Sequence, residues 1–217
     1  MAVVDLLEKA LLHRGFFRLE RVRLRHERFA GGMSPALDRE VVSRGDIVAV
    51  LPYDPRRDEV VLVEQFRVGP YLAAEPAWLR EIVAGLVEPG ESPAEAAVRE
   101  TREEIGAEIA RLDKIGSYFL APHQSPDRVH LFLGEVDASL ASEYAGLADE
   151  GEDIRVLRMA RPQAVSSAVA GEIRSPWTLS ALLWLDAWRL RQISLGFEPR
   201  EANPPPPTPD PSAAKLP

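Results

Sequence analysis

Between residues 85 and 107 the chain reads GLVEPGESPAEAAVRETREEIGA. Glu91, Glu95, Glu100, Glu103 and Glu104 crowd into this stretch, offset only by Arg99 and Arg102. Ser92-Pro93-Ala94-Glu95 is a helix start, with Ser92 as N-cap, Pro93 at the first helical position and Glu95 completing a capping box. Gly106 is the expected stop. Glu100, Glu103 and Glu104, at i, i+3 and i+4, then share one side of the helix. Glu95–Arg99 and Arg99–Glu103 pairs would each add about 0.2–0.5 kcal/mol, whereas the like-charge pair Glu100–Glu104 costs a similar amount. A hard divalent cation between the two carboxylates would turn that cost into a binding site. The Gly85–Gly90 loop leads directly into the helix and could bring a main-chain carbonyl, such as that of Ala84, beside the acidic face. A loop–helix unit of this kind, with one carbonyl and two or three carboxylates, suits Mg²⁺.

These residues resemble the Nudix box, G-x5-E-x7-R-E-U-x-E-E-x-G-U with U a bulky aliphatic residue. Gly85, Glu91, Arg99, Glu100, Glu103, Glu104 and Gly106 fall on its fixed positions, while Thr101 and Ala107 depart from it at the U positions. The resemblance implies an α/β/α sandwich with a mixed sheet and a pyrophosphohydrolase acting on nucleoside diphosphates linked to another moiety. It implies Glu100 and Glu104 as principal ligands of Mg²⁺ (or Mn²⁺), the Ala84 carbonyl assisting, and Glu103 held by Arg99 near the metal. Gly85, Glu91, Arg99 and Gly106 take structural parts.

Over roughly residues 14–195 the chain is similar to the ADP-ribose pyrophosphatase subfamily, in stretches such as VVLVEQFR, WLREIVAGLVEPGES and GLADEGEDIRV. Pro122 stands sixteen residues after Gly106, as a proline does in that subfamily, although APHQSPDR lacks the usual glycine. The expected reaction is hydrolysis of ADP-ribose to AMP and ribose 5-phosphate. The alternatives are the same chemistry on another nucleoside diphosphate sugar such as GDP-mannose, or a sensor that binds ADP-ribose without cleaving it. By the same likeness Glu150 and Glu152 match an acidic loop over the metal. Water attacking a pyrophosphate needs a base within hydrogen-bond reach, and a loop carboxylate can supply it. Glu150 is the first choice for that base; Glu152 is a base or further ligand. Phe16, Arg39 and Arg67 match substrate-binding positions. The N-terminal region is expected to exchange across a homodimer, so that both chains build each pocket.

Bulk properties set the outer limits. A 217-residue chain with 46% apolar content holds one full domain and a small appendage. A net charge of -8 argues against general affinity for nucleic acid. The absence of cysteine excludes disulfides and thiolate chemistry and suits the cytoplasm, and no apolar run reaches the length of a membrane span.

Positioning the acidic helix requires a scaffold, and the periodicity predicts one. Residues 3–13 read as a short amphipathic helix, followed by a half-exposed strand between Phe16 and Phe29 and a returning strand from Asp38 to Ser43. IVAVLPYD (47–54) and EVVLVEQFR (59–67) are the clearest strands. A loop is expected over 69–76, one strand over 78–84, and strands near 112–120, 127–136 and 153–159. Helices near 161–171 and 176–194 follow. The expected organisation is an N-terminal helix and antiparallel β region (1–45) for dimerisation and the substrate pocket, a hydrolase domain (46–197), and a disordered proline-rich tail (198–217).

Overall fold

The computed structural model describes residues 2–148 and 151–195. Its strands are β1 (Val4–Arg14), β2 (Arg18–His26), β3 (Leu37–Ser43), β4 (Ile47–Asp54), β5 (Glu59–Phe66), β6 (Trp78–Glu81), β7 (Val83–Leu86), β8 (Arg111–Phe119), β9 (Arg128–Glu135), β10 (Tyr144–Ala145) and β11 (Ile154–Ala160). Its helices are α1 (Val68–Leu72), α2 (Pro93–Ile105), α3 (Arg161–Val169) and α4 (Pro176–Leu195). The tail expected at 198–217 lies outside the described residues. Two compact units result: one runs to Ile47 and adds Ser117–Val129, the other comprises Val48–Gly116 and the chain from His130 onward.

In the second unit β5 is the organising strand. It pairs with β4, β6 and β11, all antiparallel, within a sheet ordered β10-β11-β5-β4-β9-β8, and β7 branches from β4. Alternation turns Val61 and Val63 toward one face, where they pack with Ala96, Ala97 and Ile105 of α2 and with Ile154 and Val156 of β11. Val60 and Leu62, of opposite parity, are fully buried as well, so both faces of β5 are covered. On that second side α3 and α4 close the layer. The Thr178 hydroxyl accepts from the Ile82 amide at 3.0 Å, and Leu182 and Leu185 are completely buried. The result is an α/β/α sandwich, as the box resemblance implied.

A polar network ties the β4–β5 turn to both closing helices. Asp58 accepts from the Tyr53 hydroxyl and, through both oxygens, from the Arg161 guanidinium, which also donates to Asp186. Arg161 holds the Asp58 carboxyl below its usual range, while burial and the Asp58 bond push the Tyr53 phenol up to about 12.

The first unit departs from the expectation at its start: residues 4–14 form a strand, not a helix. LLEKALL spaces its leucine pairs five apart, a pattern a helix could bury on one face. β1 accommodates it differently. Its register against β2 shifts between Leu6 and Glu8 and between Leu11 and His13, so Leu7 and Leu12 are extra residues at bulges. The sheet β1-β2-β3 has two chemically distinct faces. Arg21, Arg23 and Arg25 of β2 form a column on one, flanked by Asp5, Glu8 and Ala10 of β1 and by Asp38 and Glu40 of β3. On the other, Val22 and Leu24 lie beside Leu6, Lys9, Leu37 and Arg39. Leu6 and Leu11 remain 61% and 55% exposed.

Two smaller differences concern the approach to the acidic helix. The segment expected as a loop contains α1, a single turn at Val68–Leu72. The single strand expected over 78–84 is divided at Ile82, so that β6 joins β5 and β7 joins β4. Among the described residues no helix is long and apolar enough to cross a membrane.

Candidate active site

The start of α2 is as its residues require. Ser92 Oγ accepts from the Glu95 amide at 3.3 Å and the Glu95 carboxylate accepts from the Ser92 amide at 2.8 Å. Gly106 ends the helix at φ 68°, and its amide donates to the Arg102 carbonyl. Ala97, Thr101 and Ile105 face the core, and the Thr101 hydroxyl, fully buried, donates to the Ala97 carbonyl at 2.7 Å. The Thr101 and Ala107 departures from the box pattern are thereby absorbed as small inward-facing residues.

Glu104 belongs to that same buried stripe. It is 2% exposed, and its Oε2 accepts from the Ala84 amide at 3.3 Å. Burial, then the charges of Glu100 and Glu152, drive its carboxyl well above the ordinary carboxylate range. Burial also raises Glu100, against the opposing pull of Arg99. Buried Glu104 and half-buried Glu100 and Glu152 therefore act on one another.

Arg99 orders the rest of the acidic face. Its guanidinium donates to Glu91 through Nε and Nη2, to Glu100 at 2.8 Å and Glu103 at 3.0 Å through Nη1, and to the Leu86 carbonyl at 3.0 Å. Glu91 is held below its ordinary range by this pairing. One arginine thus joins the loop after β7 to two turns of α2. Gly85, on β7, lies against Glu100: a β-carbon there would stand 1.8 Å from Oε1.

Glu152 comes to this face from the segment before β11. Its Oε2 accepts from the Leu147 amide at 3.2 Å, and Gln65 Nε2 of β5 lies 3.5 Å from its Oε1. The segment is fastened to the end of α2 by Gly146 N to the Glu103 carbonyl and Ser142 N to the Ile105 carbonyl. Glu150 lies outside the described residues.

The proposed substrate residues divide between the units. Arg67, in the second, sits at the N-cap of α1 with Nε 2.6 Å from the buried Glu81 carboxylate, and its charge acts on Glu104. Phe16 and Arg39 belong to the first. Phe16 is 69% exposed, edge-on to Phe17, with the Arg44 guanidinium 5.5 Å from its ring centre. Arg39 donates to its neighbour's carbonyl, that of Asp38. In the loop carrying Pro122, the Gln124 and Ser125 amides both donate to the Ala121 carbonyl. Arg44 and Gln65 were not expected from the sequence. An arginine five residues past Arg39 and a glutamine inside a strand carry no spacing signal.

As they stand, no group of three His, Asp or Glu side chains among the described residues forms a ready-made metal cluster. Arg99 takes up part of the carboxylate capacity. The donor chemistry nevertheless fits a hard divalent cation. Glu104 is a buried carboxylate whose one hydrogen bond comes from a main-chain amide, with Glu100 and Glu152 adding like charge. A cation is what would make its ionised form favourable.

Compared with known families, residues 43–177 match the NUDIX domain. The chain is 43% identical over 182 residues to the ADP-ribose pyrophosphatase of Escherichia coli strain K12, covering 84% of this chain and 87% of that protein. It is 40% identical over 185 residues to the ADP-ribose pyrophosphatase of Haemophilus influenzae, covering 84% and 85%. A GDP-mannose pyrophosphatase of Pectobacterium atrosepticum is 32% identical over 180 residues, covering 82% and 92%. Among solved structures, an ADP compounds hydrolase superposes with a TM-score of 0.67 at 22% identity, over 87% of this chain and 95% of that one.

Proposed function

This chain belongs to the Nudix family, and on that premise we propose that it hydrolyses the pyrophosphate bond of ADP-ribose to AMP and ribose 5-phosphate. The observation that carries the reading is its 43% identity, across most of both chains, to an ADP-ribose pyrophosphatase. Buried Glu104, with half-buried Glu100 and Glu152 acting on it, supports chemistry that such a reaction can use.

Hydrolysis forms one P–O bond from water and breaks the bridging P–O bond, whose electron pair leaves with the departing phosphate. Glu100 and Glu104, with the Ala84 carbonyl, are the residues that would hold Mg²⁺, and Mn²⁺ suits the same oxygens. When bound, the cation supplies charge neutralisation at the pyrophosphate and water activation. Arg99 keeps Glu100 and Glu103 on one side of the helix. Glu150 is our first choice for the base that takes the water's proton; Glu152 takes that part or adds to the cation's ligands. By the subfamily likeness, Arg67 and Arg39 would offset phosphate charge and Phe16 would offer a face on which adenine can stack.

We also read the protein as a cytoplasmic homodimer. The leucine-bearing face of β1–β3, with Leu6 and Leu11 uncovered beside Lys9 and Arg39, supports a second copy as its occupant. Lack of cysteine supports a reducing compartment.

The test is hydrolysis of ADP-ribose, GDP-mannose and ADP-glucose with and without Mg²⁺, with products resolved. Metal-dependent release of AMP and ribose 5-phosphate, fastest from ADP-ribose, is the expected result. Preference for GDP-mannose would move the protein toward its 32%-identical relatives. Binding of ADP-ribose without cleavage would make it a sensor.

A further inference from the structure

Gln65 occupies a position built for an apolar side chain. Alternation along β5 turns Val61, Val63 and Gln65 toward α2, and the two valines belong to the core there. Gln65 is 5% exposed, yet only its amide end has a neighbour: Nε2 lies 3.5 Å from Glu152 Oε1, and Oε1 accepts no hydrogen bond among the described residues. A buried acceptor left unsatisfied is destabilising. A carboxylate only accepts, so the NH₂ group must face Glu152 and the carbonyl must face away.

In the metal-free protein Glu152 stands in the field of Glu100 and Glu104, both of which repel it. Unrestrained, a glutamate on an irregular segment would turn to solvent. Two donors oppose this, one on each oxygen: Gln65 Nε2 from the rigid sheet and the Leu147 amide from Glu152's own segment. We infer that Gln65 is a positioning residue for the hydrolysis, holding the Glu152 carboxylate at the acidic face of α2. This rests on the reading above only in that Glu152 takes part in catalysis; the restraint itself does not depend on it.

The experiment compares Gln65→Met, Glu152→Gln and the double variant, with Gln65→Leu as a second probe that is close in size and has no donor. With ADP-ribose and Mg²⁺, Gln65→Met should lower kcat about tenfold or more, the scale of one hydrogen bond to a charged group, and leave KM within about twofold. The double variant should be no slower than Glu152→Gln alone, because Gln65 acts through Glu152. In the metal-free protein, hydrogen exchange at the Leu147 amide should quicken in Gln65→Met while the β5–β11 amides stay protected. Wild-type kcat with unchanged Leu147 exchange, or losses that multiply in the double variant, would overturn the inference. Should Gln65→Met not fold, Gln65→Leu is read by the same criteria. An enzyme inactive on ADP-ribose would sink the substrate reading, and the exchange measurement would still decide the part assigned to Gln65.

Discussion

Gly85 and Glu100 compete for one volume: a β-carbon on the glycine would overlap the glutamate carboxylate, 1.8 Å from Oε1 and 2.0 Å from Cδ. The first glycine of the motif is therefore a space reserved for a carboxylate. Gly85→Ala should force Glu100 off its position and cost about 100-fold or more in kcat, the scale of a roughly 1 Å misplacement of a reacting group. Steady-state kinetics beside a circular dichroism melt checks this. Full activity with a native melt would show that the carboxylate position is not critical.

Glu104→Gln keeps the shape of the buried side chain and removes its charge. Turnover should be lost while the fold is retained. In the wild type, Mg²⁺ should raise the melting temperature by mass action. In Glu104→Gln that rise should disappear, and a thermal scan with and without EDTA reads it. An undiminished Mg²⁺ shift would remove Glu104 from the metal site.

Phe16 separates ligand contact from packing. Being largely exposed, it should contribute little to stability, so Phe16→Ala should leave the melting temperature within about 2 °C. If adenine stacks on it, KM should rise about 5- to 150-fold, from stacking worth about 1–3 kcal/mol. Unchanged KM would exclude the contact.

Asp58 makes acid stability partly its own. Its folded pKa is lowered by Arg161, so the stability it contributes is present above the unfolded value of about 3.9 and lost as pH falls through the folded value. Asp58→Asn should flatten that acid limb, leaving a difference of about 0.5–1 kcal/mol after allowance for solvent screening. Asparagine suits the backbone here, where φ is 54°. Urea melts of both proteins from neutral pH downward measure it, and parallel curves would contradict the assignment.

Leu6→Glu with Leu11→Lys removes the two exposed leucines from the proposed dimer face of β1. If the wild type sediments as the proposed dimer, the variant should sediment as a monomer. A dimer that survives both changes must be built elsewhere.

The parts of the site that lie on α2 were legible because local chemistry and spacing agree there. Ser92, Pro93, Glu95 and Gly106 mark the helix ends, and the i, i+3, i+4 glutamates need no distant partner to share a side. The burial of Glu104 was not legible, since a carboxylate on an apolar stripe reads as exposed until Ala97 and Thr101 are seen packing beside it. Gln65 was hidden for the same reason: EVVLVEQF announces a strand, and only the register with β11 reveals which residue meets the acidic helix. β1 misled because doubled leucines five apart satisfy a helix as well as a twice-bulged strand.

Those two bulges have a geometric consequence. β1 spends eleven residues where β2 spends nine, so the outer rail of the ribbon is longer than the inner one. Such a ribbon must coil, and its exposed edge cannot offer the flat, evenly spaced ladder that open-ended strand addition requires. The edge can still be met by a surface of matching curvature. The surplus of Leu7 and Leu12 thus works against a growing fibre.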